Sequence, residues 1–90
     1  MIKRLVEMYQ TGAITADHLV AECLHIVDPG HPELVLGMLP ASILERMLKY
    51  ARDYQPEAMR TNYGIAPAPD QVQAAKSWIE SRARELKLCV

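Results

Sequence analysis

The sequence predicts an all-α fold, a small irregular helical bundle of four main helices plus one short helix. Three observations predict it. Apolar residues recur at three- and four-residue spacing through each long segment. No stretch of useful length alternates with the period of a strand. Gly, Pro and capping residues fall where helices would begin and end. Ninety residues with 50% apolar side chains suit one helical domain spanning 1–90. Phe is absent, so Leu, Val, Ile, five Met, four Tyr and Trp78 must fill the core, and Met adapts to irregular gaps.

The first helix covers residues 2 to 10, with Ile2, Leu5, Val6 and Tyr9 on one face and Gly12 as its C-terminal cap. A second starts after the N-cap Thr15, with Ile14 and Leu19 placed as a hydrophobic staple, and runs to about Val27. Pro29-Gly30 in "DPGH" suits the centre of a type II turn. Pro32 opens a short helix, "PELVLGML", which Pro40 interrupts. Ser42 and Glu45 form a capping box for the next helix, with Leu44, Met47, Leu48, Ala51 and Tyr54 inward. Pro56 ends that helix or starts one more turn around "PEAMR". Pro67 and Pro69 hold residues 61 to 69 out of regular helix. Asp70 with Gln73 makes a second capping box. The last helix then runs to about Leu86, with Val72, Ala75, Ile79, Ala83 and Leu86 inward and Trp78 on its flank.

Residues 9 to 20, "YQTGAITADHLV", resemble the helix, G-x-I-T turn and helix of SHOCT-type bacterial oligomerisation segments. The resemblance spans that stretch alone, and it implies a capped helical hairpin.

The net charge of -1, with acidic and basic side chains interspersed, gives no basic footprint for a nucleic-acid binder. "MIKRLVEMYQ" lacks the apolar run of a signal peptide, and no segment approaches a membrane span, so a cytoplasmic protein with free thiols at Cys23 and Cys89 is expected.

"HLVAECLH", residues 18 to 25, is the one stretch rich in metal-ligand side chains. His18, Glu22 and His25 fall within about 60° of arc on the second helix, opposite Leu19, Val20, Cys23, Leu24 and Val27. A polar cluster opposite an apolar stripe points into water. Glu22 and His25 match the Glu-x-x-His spacing of di-iron bundles, but those sites need a second copy turned inward. The solvated face therefore outweighs a metal site, and Cys23 belongs to the buried stripe.

Two other stretches bear on function. "PELVLGMLPASIL", 32 to 44, is apolar almost all round, so it either threads the core or covers a partner. Leu36 and Met38 are its candidate contacts. "RTNYGIAPAP", 60 to 69, reads as a strap between helices, and any recognition surface on it uses Arg60, Asn62 and Tyr63. Lys76, Arg82, Arg84 and Lys87 alternate with Glu80 and Glu85, which suits a solvated helix end.

No nucleophile-base pair, phosphate loop or closed metal site can be assembled. The expectation is a non-enzymatic helical protein-protein interaction module that self-associates as a homodimer, with no cofactor and no identifiable small-molecule substrate. The alternative is a metal-binding or redox protein using His18, Glu22 and His25 across a dimer. A weaker one is a nucleic-acid accessory protein using the last helix.

Overall fold

The computed structural model describes residues 2–86. Its elements are helices in the order α1 (Ile2–Gln10), α2 (Ala16–His25), α3 (Glu33–Leu36), α4 (Ala41–Arg52), α5 (Pro56–Tyr63) and α6 (Pro69–Arg82). The all-α class stands as read from the sequence. Lys87 and Cys89 lie outside the described residues.

Local chemistry explains most boundaries. Thr15 caps α2, its Oγ1 accepting from the His18 N–H at 3.1 Å. Gly12 ends the α1 region at φ 83°, a left-handed conformation that costs a residue without a Cβ nothing. At 28–31 the Asp28 carbonyl accepts from the His31 N–H and Asp28 Oδ1 accepts from the Gly30 N–H. Gly30 does not take the positive φ that a type II turn demands, so the aspartate rather than the glycine shapes this turn.

Several helix boundaries differ from the sequence expectation, α2 and α6 also ending earlier, at His25 and Arg82. α5 is a full helix rather than a single turn: Pro56 sits at its first turn, and it continues through Thr61, Asn62 and Tyr63. It stops at Gly64 (φ 76°), whose N–H donates to the Arg60 carbonyl. The prolines at 67 and 69 restrict only their immediate predecessors, so the irregular strap shrinks to residues 64–68. α4 begins at Ala41 behind an extended Pro40, leaving Ser42 exposed inside the first turn and not at the N-cap. α6 begins at Pro69 behind Ala68, so Asp70 is likewise inside the helix, where its Oδ1 accepts from the Gln71 N–H.

Gln71 does the capping instead. Its Oε1 accepts from the Ala68 N–H at 2.8 Å. Its Nε2 donates to the carbonyls of His25 (2.7 Å) and Val27 (3.0 Å), which ties the start of α6 to the end of α2. Gln71→Ala is expected to cost about 1–2 kcal/mol, since three partly solvated hydrogen bonds are lost. Gln71→Glu is expected to cost more, because a carboxylate oxygen would face two carbonyls. Urea titration of both variants checks the order.

α2 is the hub, packed against α1, α4, α5 and α6, and the α4–α6 pairing is the most extensive. Leu19, Val20, Cys23 and Leu24 of α2 meet Ile43, Leu44, Met47 and Leu48 of α4 in one cluster with Met59 and Ile79. Leu36, expected as a candidate partner contact, is fully buried and serves this core. Tyr54 lies past the end of α4, where its hydroxyl donates to the Pro67 carbonyl and pins the strap. α6 ends at Arg82, with Ala83 buried and Leu86 half-buried beyond it. Among the described residues no polar or charged residue is buried, so any functional group must sit at the surface.

Candidate functional site

The polar face of α2 is not wholly in water. α5, an element the sequence did not fully disclose, packs on α2 and lays the Tyr63 ring against His18. The two rings stack with centroids 5.2 Å apart and planes 17° from parallel. On its other side His18 Nε2 lies 3.3 Å from Glu22 Oε1. His18 and Glu22 are therefore half-buried, at 34% and 32% side-chain exposure, rather than pointing freely into solvent. His25 is exposed and Cys23 is fully buried, as their angular positions require.

One residue earlier, Asp17 turns toward α4, and its Oδ1 meets Arg46 Nη1 at 2.8 Å. α2, α4 and α5 thus enclose a cleft of about 330 Å³. Asp17 and Arg46 line one part of it, Lys49, Tyr50 and Asp53 follow α4 to its end, and Asn62 and Tyr63 come from α5. Met59, also among the lining residues, is only 2% exposed and gives the cleft an apolar floor.

Tyr50 is the central polar group of this cleft. Burial pushes its hydroxyl up to about 12, and the neighbouring Tyr63 hydroxyl and Asp17 carboxylate act in the same direction. At neutral pH it is a protonated phenol, able both to donate and to accept. None of the lining residues is Ser, Thr, Cys or His. The cleft offers charge and hydrogen bonds to a guest.

The residues anticipated from sequence divide between this cleft and other places. Asn62 and Tyr63 line it, whereas Arg60 turns outward into an ion pair with Glu57 at 2.8 Å. Met38 is 56% exposed near α3, far more open than Leu36. Among the described residues no group of three or more His, Cys, Asp and Glu is placed to hold a metal ion, so His18, Glu22 and His25 do not converge as one site. On α6 the Arg82 guanidinium lies 4.6 Å from the centre of the Trp78 ring, which occupies one aromatic face that a base would need. Among the described residues no helix is long and apolar enough to cross a membrane.

Asp17, Arg46 and Tyr50 were not singled out by the sequence. The available signal was Tyr50 itself, a large aromatic off the inward stripe of α4 that nevertheless becomes half-buried. No protein-family model, curated protein or solved structure matches this chain.

Proposed function

We propose that the chain is a non-enzymatic helical protein-protein interaction module that self-associates through the outer side of α3. The observation that carries this reading is the exposure of Leu34 (64%) and Met38 (56%), the two large apolar side chains left open among the described residues. Leu34 lies in α3 and Met38 just past its C-cap Gly37, while Val35, Leu36 and Leu39 turn into the core. A thioether beside a leucine forms a surface that can repack against an identical copy, and a two-fold contact is the commonest way to cover one. A cytoplasmic setting agrees with the free, buried thiol of Cys23.

Light scattering at micromolar concentration is expected to give a dimer mass. The double variant Leu34→Gln, Met38→Gln is expected to give a monomer with an undiminished cooperative helical melt, because neither side chain belongs to the core. A monomeric wild type would overturn self-association. A dimeric double variant would move the interface away from α3.

A further inference from the structure

We infer that the cleft between α4 and α5 binds a small zwitterion of the α-amino acid class with an apolar side chain. The argument begins with charge. Two acids, Asp17 and Asp53, and two bases, Arg46 and Lys49, line the cleft. Asp17 and Arg46 already neutralise each other at 2.8 Å. Lys49 and Asp53 close no ion pair among the described residues, which leaves one cation and one anion facing the same space. A guest of net charge would meet a like charge at one of them. A guest carrying both an ammonium and a carboxylate satisfies both.

The backbone fixes their spacing. The Asp53 N–H donates to the Lys49 carbonyl at 3.1 Å, so the two residues lie one helical turn apart on the same face. Asp53 is also badly placed for its own helix. It caps the C-terminus of α4, the negative end of the helix dipole, where a carboxylate is disfavoured and a cation is welcome. A bound ammonium relieves that conflict, and Lys49 takes the carboxylate. The floor is apolar, formed by the buried Met59 with the exposed Ala58 beside it, and the half-buried Tyr50 and Tyr63 are the walls. At about 330 Å³ the cleft is at the small end of ligand pockets, which excludes large cofactors and fits one amino acid. Both charges are solvated, so affinity is on the order of millimolar.

The test is a nitrogen-15 chemical-shift titration of the whole chain with L-leucine, N-acetyl-L-leucine and L-leucinamide. Leucine is expected to give saturable shifts at Tyr50, Met59 and Asn62. Each analogue, lacking one charge, is expected to bind several-fold more weakly. In Lys49→Met the preference for leucine over leucinamide should vanish, while in Asp53→Asn the preference for leucine over N-acetyl-leucine should vanish. Both positions are exposed, and an unchanged melt confirms that the variants fold. No saturable shift at the cleft with leucine, equal binding of all three compounds, or unaltered preferences in the two variants would each overturn the assignment.

Discussion

Leu24→Ala is expected to lower the stability of this domain by about 2–5 kcal/mol, enough to remove a large share of it. Leu24 is fully buried on α2, the helix that touches four others, so the vacated volume has walls contributed by several elements. Those walls cannot all close on it without disturbing α4 or α6, and the cavity term therefore adds to the lost transfer energy. A domain of this length holds roughly 5–13 kcal/mol in total. The melting temperature is expected to fall by at least about 10 °C. Leu34→Ala supplies the control: the same atoms are removed from a side chain that is 64% exposed, and the change should stay within about 0.5 kcal/mol. Both are measured by thermal and urea unfolding at a dilution where the chain is monomeric. Equal losses at the two sites would contradict the placement of α2 at the centre.

The parts of this fold that could be read from the sequence are those decided within one helix. Cys23 is buried because its angle on α2 matches Leu19 and Leu24, and no knowledge of neighbours was needed. Thr15 caps because its hydroxyl reaches only three residues ahead. Ser42 and Asp70 failed as caps through competition between two legitimate signals. Each has a Pro one or two residues before it, and a proline that is extended at the cap or fixed at the first helical position sets the boundary before the polar residue can. The last turn of α5 was hidden for a related reason: Pro67 and Pro69 drew the stop too early, and Gly64 was the true terminator.

The cleft depended on what the sequence could not show. His18 and Glu22 sit opposite the apolar stripe of α2, and by that criterion they belong in water. They are half-covered because α5 docks there from some forty residues away in sequence and stacks Tyr63 on the imidazole. Asp17 and Arg46 meet across 29 residues, and no local period marks either as special. Asn62 and Tyr63 could be picked out because they stand in an unusual stretch, whereas Tyr50 offers only its place off the inward stripe of an otherwise ordinary helix.

Raising the pH from about 9 to 10 is expected to cost the folded state roughly 1 kcal/mol, and Cys23 is the reason. Burial pushes its thiol from 9.0 up to about 12, with the Glu22 carboxylate adding to the shift. Well below pH 9 the thiol is neutral in both the folded and the unfolded chain, so it confers no pH dependence there. Between 9 and 12 the unfolded chain releases the proton and the folded chain keeps it, and each unit then favours unfolding. The Tyr50 hydroxyl, raised from 10.0 to about 12, has the same sign and adds a smaller, solvent-screened decrement above pH 10. Urea midpoints measured on either side of pH 9 are expected to fall for the wild type. Cys23→Ala should start lower, because it leaves a cavity, yet lose most of the slope from 9 to 10. Chemical labelling reads the same burial independently. In a Cys89→Ser background, a thiol reagent at pH 8 should leave Cys23 unmodified until denaturant is added. Rapid modification of the folded protein, or a pH slope undiminished in Cys23→Ala, would mean that this thiol is open to water and that the α2–α4 core is packed differently.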